Sequence, residues 1–398
     1  MKVALINSVC GFGSTGRIVV DQYNKLVEKG HSAMIVYGRK AGDEAINAYK
    51  MGSRLSTLFA VAATRIFDSH GFNNRIATQK LLKELDAFQP DIIHLHNIHG
   101  YYINVKILFD YINAKSIPVV WNLHDCWSFT GHCSHFEYVD CQKWQSECAK
   151  CPQKSEYPAS FCLDRSRKNY ILKKAAFTLP KKMTFVVPSS WLGRVLNRSF
   201  LSGYPSVEIP TGIDLDAFKP TETDMRDRLG LKGKFILLGA ASVMTERKGY
   251  SDFLWLAEHL PGSCQLVLAG LTEKQTRGLP KNIMGIARIK SVKEMAELYS
   301  MADVFINLTK EDTFPTVNLE SLACGTPVIT YQSGGSGDML NAECGVIVKR
   351  DDKEALLDAV MRGQASLMKK DACIKQAAKY NREKQTKKII SVYHELLN

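Results

Sequence analysis

Residues 302–329 constrain the fold more than any other stretch of the chain. A short apolar run, residues 302–308, ends in polar Thr309-Lys310 and reads as a buried strand. The turn Glu311-Asp312-Thr313-Phe314-Pro315-Thr316 follows. From Val317 the apolar residues recur at helical spacing until Cys324-Gly325 stops the helix, and Pro327-Val328-Ile329 opens another strand. Strand, turn, helix and strand in so short a space predict an α/β layer with a parallel sheet. Acidic residues flank a turn that opens onto a helix N-terminus, where backbone N–H groups and the positive end of the helix dipole suit a diphosphate. Glu320, one turn inside the helix, could reach the hydroxyls of an attached ribose. An ordinary strand–turn–helix unit with solvated carboxylates fits the same stretch.

The same residues resemble the Glu-x7-Glu signature of the retaining glycosyltransferases of family 4, which have the two-domain GT-B fold. In that family the first acid approaches the donor sugar and the second the nucleotide ribose. Asp312 stands where the first Glu is found, so either its shorter side chain or neighbouring Glu311 takes that part, and Glu320 matches the second acid. The resemblance also puts Phe314, Thr316 and Val317 among the donor-binding residues.

At about 150 residues per domain, 398 residues suggest two to three domains. No run of about 18 uninterrupted apolar residues exists, so no transmembrane helix is expected. Met1-Lys2-Val3-Ala4-Leu5-Ile6-Asn7 reads as a strand entering a glycine loop, without the apolar core and cleavage site of a signal peptide; a cytoplasmic protein is expected. The net charge of +12 is uneven. Residues 1–200 carry 26 Lys and Arg against 15 Asp and Glu, a difference of +11, which leaves +1 for the remainder. Ten basic and two acidic residues lie between 151 and 200. A solvated basic face accounts for this, as do an anionic membrane surface, a pyrophosphate-linked substrate or nucleic acid.

Taken in order, the first strand leads into Gly11-Phe12-Gly13-Ser14-Thr15-Gly16 and a helix over residues 17–29. The full Gly-x-Gly-x-x-Gly spacing is missing, and so is an acid about 20 residues on, which argues against a nicotinamide cofactor. In the resembled family a loop at this point nears the donor phosphates and the acceptor, making Gly11 and Gly13 donor-binding candidates. Residues 55–67 are apolar with arginines at their ends, too short to span a bilayer; a core helix and an exposed, membrane-facing helix both fit. Pro90-Asp91-Ile92-Ile93-His94-Leu95-His96 and Pro118-Val119-Val120-Trp121-Asn122-Leu123 are further strands. His124-Asp125 closes the second, at the carboxyl end where open α/β sheets place ligands. The resembled family has a histidine there, near the transferred sugar, and His124 matches it.

Ile209-Pro210-Thr211-Gly212-Ile213-Asp214 is similar to the family's interdomain segment. After it a second sheet restarts at Phe235-Ile236-Leu237-Leu238-Gly239, then Thr245-Glu246-Arg247-Lys248-Gly249 precedes a helix. A strand, a basic loop and a helix N-terminus together make a phosphate clamp. Lys248-Gly249 matches the family's Lys-Gly pair; the Arg usual just after the strand is replaced by Ala240-Ala241-Ser242, and Arg247 is the substitute. Ser333-Gly334-Gly335-Ser336-Gly337 is a loop that could line the donor pocket.

Six of the 11 cysteines fall within residues 126–162. Cys148-Ala149-Lys150-Cys151 has metal-knuckle spacing, and Cys133 and Cys141 could complete a structural four-thiolate zinc site, with Cys126, His132 and His135 as substitutes. Such a site would pin a long loop with little apolar content of its own. Reduced cysteines packed as small hydrophobes are the alternative.

The expectation is therefore a GT-B enzyme of two doubly wound parallel-sheet domains facing across a cleft: residues 1–212 with a Cys-rich insertion near 126–162, residues 213–380, and a terminal segment 381–398 returning to the first domain. It would transfer a sugar with retention from a nucleotide-sugar donor to a lipid-linked or oligosaccharide acceptor in cell-surface polysaccharide biosynthesis, as a peripheral protein on the inner face of the membrane and without a catalytic metal. Asp312 or Glu311 and His124 would contact the sugar, and Arg247 and Lys248 the diphosphate. A GT-B nucleotide-sugar epimerase and a basic, zinc-containing nucleic-acid-binding protein are the alternatives; against the second, neither finger nor helix-turn-helix spacing is found.

Overall fold

The apolar runs become strands that are buried on both faces, which is why they read as continuous rather than alternating. The computed structural model describes residues 1–42, 46–366 and 368–398. The first sheet contains β1 (Lys2–Asn7), β2 (Ser32–Tyr37), β3 (Ala48–Lys50), β4 (Ile92–Leu95), β5 (Val119–Asn122), β6 (Met183–Val187) and β7 (Ser206–Glu208). Their order is β3-β2-β1-β4-β5-β6-β7, and every pair is parallel. The second contains β8 (Phe235–Ala240), β9 (Cys264–Ala269), β10 (Ile283–Ile286), β11 (Val304–Asn307), β12 (Val328–Gln332) and β13 (Gly345–Lys349), again all parallel, in the order β10-β9-β8-β11-β12-β13.

In each sheet the strand order runs outward in both directions from one central pair, β1/β4 and β8/β11. At such a switch point the loops after the two strands leave in opposite directions and open a crevice at the carboxyl ends. The glycine loop follows β1 and His96–His99 follows β4; the Arg247-Lys248 turn follows β8 and the Asp312 turn follows β11. Both groups of candidate residues therefore sit where the topology makes room for a ligand.

The chain divides into one compact unit of Met1–Pro210 with Gln385–Asn398, and a second of Thr211–Lys384. The helix Arg382–Leu397 carries Ile389, Ile390, Val392 and Tyr393 into a core cluster with Val3, Leu5, Val19 and Val20. The apolar runs of the sequence marked β1, β4, β5, β8 and β11 within about two residues and the start of β12, whereas β3, β7, β10 and β13 are short or edge elements with half-exposed residues and give no such run. The first helix spans Gly13–Glu28, beginning inside the glycine stretch rather than at residue 17, because Gly11 and Gly13 take φ of 63° and 68° and complete the turn early.

Two further expectations are corrected or resolved. Residues 126–162 hold only two short 3-10 turns, Trp127–Phe129 and Lys143–Gln145, yet the loop is not poor in apolar anchors: Trp127, Phe129, Phe136 and Trp144 are all buried in the main core of the first unit. Phe136 and Trp144 stack at 4.8 Å. And the helix Arg54–Phe67 buries only Ala60 and Thr64, so it is an exposed helix and not a core one. Among the described residues no helix is long and apolar enough to cross a membrane.

Candidate functional site

In the second unit the clamp is built by two turns, one after β8 and one after β11. Glu246–Lys248 forms a 3-10 turn that ends at Gly249, whose φ of 82° starts the helix Tyr250–His259. A Cβ on Gly249 would lie 2.5 Å from both the Cβ and the carbonyl oxygen of Leu308, so only glycine lets the basic turn approach the end of β11. The approach is sealed by the backbone bond Lys310 N–H to Arg247 O at 2.8 Å. Lys248 then donates to Asp312 Oδ2 at 2.8 Å and to Thr309 Oγ1 at 3.2 Å. Arg247 stands 3.6 Å from Glu311. The two acids at the first position are thereby distinguished: Glu311 is buried beneath the turn, whereas Asp312 is partly exposed beside Lys248.

Asp312 is fixed from three sides. Its Oδ1 accepts the Phe314 N–H at 3.2 Å, and its carbonyl accepts the Gly335 N–H at 3.0 Å. A Cβ on Gly334 would fall 1.7 Å from that carbonyl oxygen, so the Ser333–Gly337 loop is packed directly against the acidic turn. Ser333 Oγ–H closes the contact on Thr309 O at 2.6 Å. The helix Thr316–Ala323 begins after Pro315 with no side-chain cap, leaving its amide end to an anion or solvent. Glu320 accepts from Tyr299 Oη–H at 3.1 Å and from Thr316 Oγ1–H at 3.3 Å, which turns the carboxylate along the helix toward its N-terminus. Phe314 is buried, and Thr316 and Val317 are half-buried at the helix start. Lys248, Arg247, Asp312, Glu311, Phe314, Thr316, Val317 and Glu320 thus occupy one neighbourhood. Sequence reading did not select Thr309 or Tyr299: a threonine after a strand and a tyrosine inside the helix Val292–Met301 belong to no motif.

In the first unit, β4 and β5 carry a histidine array. Gln22 Oε1 can only accept, so the 3.0 Å contact assigns the proton on His96 to Nε2. His96 Nδ1 then accepts from His124 Nε2–H at 3.0 Å. Burial holds both rings neutral, lowering His124 to about 4 and His96 well below the usual range. His94, lowered to about 3 by burial, bonds Tyr393 Oη at 2.6 Å. Beside them lies a small recess, no larger than a water molecule or so, lined by His96, Asn97, His99, Asn122, His124, Asp125 and Ser128 among others. His99 bridges Asp125 Oδ2 at 2.8 Å and Tyr157 Oη at 3.1 Å. Burial alone would raise Asp125, but His99 and the Trp127 N–H hold its carboxyl down at about 2. Gly11 and Gly13 lie on the neighbouring turn after β1, where Gly11 N–H bonds Gly16 O at 3.1 Å.

The 126–162 loop is tied beside this array by two buried charged groups. Asp68 accepts from His132 at 2.6 Å and from the Arg165 N–H at 2.8 Å. Lys173 donates to Trp127 O at 2.7 Å and Thr130 O at 3.1 Å, over the Trp127 ring. Burial lowers it to about 7, partly offset by nearby Cys148, Cys133 and Asp125. Cys133 is buried, Cys141, Cys148 and Cys151 pack against the same core, and all are free thiols. Cys133 and Cys151 share a hydrogen bond that raises the first and lowers the second. Among the described residues no three His, Cys, Asp or Glu side chains form a group able to hold a metal ion.

Known proteins match this architecture along its whole length. The profile for glycosyl transferases group 1 matches residues 221–390. A protein of Escherichia coli named for glycosyl transfer in colanic acid biosynthesis, WcaC, is 23% identical over 367 residues, 88% of each chain. An alpha-galactosylglucosyldiacylglycerol synthase of Streptococcus pneumoniae is 29% identical over 183 residues, 40% of this chain and 46% of that one. Among solved structures, a sucrose-phosphate synthase of Thermosynechococcus elongatus superposes with a TM-score of 0.72 at 17% identity, covering 99% of this chain and 98% of the other. Anabaena HepE in complex with UDP-glucose gives 0.67 at 14% identity over 99% and 100%. These likenesses establish the GT-B fold of paired parallel sheets. The profile of Glycosyltransferase Family 4 matches residues 15–217, just over half of the chain, and the protein belongs to that family.

Proposed function

We propose that this glycosyltransferase moves a hexosyl group, with retention, from a nucleotide-sugar donor to a saccharide carried on a lipid, in the building of a cell-surface polysaccharide at the cytoplasmic face of the membrane. The observation that carries the reading is the clamp at the β8/β11 switch point: Lys248 and Arg247 on the turn after β8, Asp312 on the turn after β11, Glu320 inside the helix that follows, and an uncapped helix N-terminus between the acids. Transfer from a nucleotide sugar needs the departing diphosphate neutralised and an oxocarbenium-like sugar stabilised. The two cations and the helix amides serve the first need, with no catalytic metal assigned, and Asp312 serves the second. Glu320 takes the ribose hydroxyls, held for that by Tyr299. His124 is proposed to orient the transferred sugar through its polar ring edge. Relatives support the pathway class: WcaC is named for colanic acid, and a Bacillus subtilis relative for teichuronic acid, biosynthesis.

The test is a donor screen that follows released nucleotide with and without a lipid-pyrophosphate saccharide, with the product's anomeric configuration read by NMR. Nucleotide release that requires the acceptor, and a product of unchanged configuration, support the reading. Equal release without acceptor identifies an epimerase-type enzyme, and an inverted product removes retention.

A further inference from the structure

The helix Arg54–Phe67 is built inside out. Its buried side carries small Ala60 and Thr64, while Leu55, Leu58, Phe59, Ala62 and Ile66, at spacings of three and four that share one helical face, all point to solvent. Leu55 is 69% and Phe59 76% exposed. A soluble helix does the reverse, and an apolar stripe of this kind marks a surface that is covered in use.

The stripe is extended by a second segment. The N–H groups of Phe161 and Leu163 bond the carbonyls of Arg65 at 2.7 Å and Ile66 at 3.1 Å. This pairing sets exposed Phe161 and Leu163 beside Ile66 and Phe67 at the helix end. Arginines are interleaved with the rings: the Arg65 guanidinium lies 6.0 Å from the Phe161 centroid and that of Arg165 5.7 Å from Phe67. The helix contains Arg54 and Arg65 and no acid. Of the two acids in residues 151–200, Asp164 is spent on the Ser166 and Cys151 N–H groups and the Ser166 hydroxyl. Large apolar side chains interleaved with guanidinium groups that no carboxylate pairs among the described residues are the composition that seats in the headgroup boundary of a negatively charged bilayer, rings in the acyl edge and cations on phosphate.

We infer that the face formed by the helix Arg54–Phe67 and residues 161–165 docks this protein on an anionic lipid surface. The inference rests on the proposed lipid-borne acceptor for its purpose, but not for its physical basis. A second copy of the chain would bring the same arginines against each other, which disfavours self-association as the occupant.

The experiment is co-sedimentation of the full chain with vesicles of neutral phosphatidylcholine and with vesicles containing phosphatidylglycerol, at low and high salt. Wild-type protein is expected on the anionic vesicles, with binding that weakens as salt rises. Leu58→Ser/Phe59→Ser/Phe161→Ser is expected to bind them at least about tenfold more weakly, from lost apolar insertion. Arg65→Gln/Arg165→Gln is expected to lose most of the preference for anionic over neutral lipid. Leu58, Phe59, Arg65 and Phe161 are exposed and Arg165 is half-buried, with none of them in a core cluster, so circular dichroism and melting remain those of wild type, and nucleotide release with a water-soluble acceptor stays unchanged. Absence of wild-type binding, or undiminished binding by the triple variant, overturns the docking face and leaves the transferase reading standing. A solution dimer that the triple variant splits would make the patch a self-contact and overturns it as well.

Discussion

Lys248 stands between two oxygens, Thr309 Oγ1 and Asp312 Oδ2, and that geometry decides what its loss should do. Lys248→Ala removes the cation that the proposed mechanism sets against the departing diphosphate and takes one donor from Asp312 Oδ2; Glu320→Gln keeps the shape of a group held by Tyr299 and Thr316 but removes its charge. Each should lower kcat/KM by the equivalent of roughly 2–4 kcal/mol, the range for one preorganised electrostatic group. Tyr299→Phe only loosens Glu320, and about 1 kcal/mol, mostly in KM, is expected. Steady-state kinetics on the preferred donor check the ranking, and wild-type turnover in both charge variants would remove the site. The histidines make a second prediction at this scale. An unfolded chain binds a proton at each histidine near pH 6.5, whereas burial delays that to about 4 at His124 and about 3 at His94. Protons therefore favour the unfolded state: stability is complete above pH 7 and falls, by about 1.4 kcal/mol per pH unit for each of the two, as pH drops from 6.5 toward 4. His132, raised because bonding to Asp68 outweighs its burial, works in the opposite sense. Urea midpoints that stay level from pH 7 to 5 would show that the array is not buried neutral.

At the scale of elements, the glycines at the clamp are geometric parts. Gly249→Ala puts a methyl group 2.5 Å from Leu308 backbone in a left-handed conformation, and should cost about 1–3 kcal/mol of stability and misplace Lys248. Denaturant unfolding and donor KM measured together check this; a variant with neither change would mean the turn is slack. In the 126–162 loop, Trp144→Ala removes a ring stacked on Phe136 and tilted against Phe129 and should cost about 3–5 kcal/mol. The contrast between these two elements shows what the sequence made legible. The clamp was readable because strand, Gly turn and helix alternate in period, and because cations and acids fall at the turns. The loop was not, since its tryptophans and phenylalanines follow no period and cysteine spacing drew attention to the thiols instead. Likewise the helix at residues 54–67 has unmistakable periodicity, but periodicity gives a stripe without saying whether core or solvent receives it. Small Ala60 and Thr64 on the opposite face were the available sign. Thr309 and Tyr299 were invisible for another reason: their roles arise from tertiary neighbours, β8's turn and the Thr316–Ala323 helix, that lie far off in sequence.

At the scale of the whole molecule, the first unit is made from two pieces of chain, Met1–Pro210 and Gln385–Asn398, so a boundary drawn through the second unit alone cuts the first. Ile389, Ile390, Val392 and Tyr393 are buried against Val3, Leu5, Val19, Val20 and Ile35. At about 1.5–3 kcal/mol for each buried apolar side chain, these four contribute on the order of 6–12 kcal/mol, as much as a domain's entire margin. A chain ending at Lys384 should therefore fail to hold the first sheet, while the second unit, which keeps its own strands and clamp, remains folded. A finer variant separates packing from hydrogen bonding. Tyr393→Phe keeps the ring in the cluster and removes only the hydroxyl at 2.6 Å from His94, leaving a buried imidazole nitrogen without that partner. The expected loss is about 1–3 kcal/mol, the cost of an unsatisfied buried polar group, with the unfolding slope unchanged because the exposed area is the same. Two-transition denaturation, followed by tryptophan fluorescence for the first unit (Trp121, Trp127 and Trp144 are buried there), reports the result. If the shortened chain retains the first-unit transition at its original midpoint, the returning helix is an ornament on that sheet and not a structural part of it.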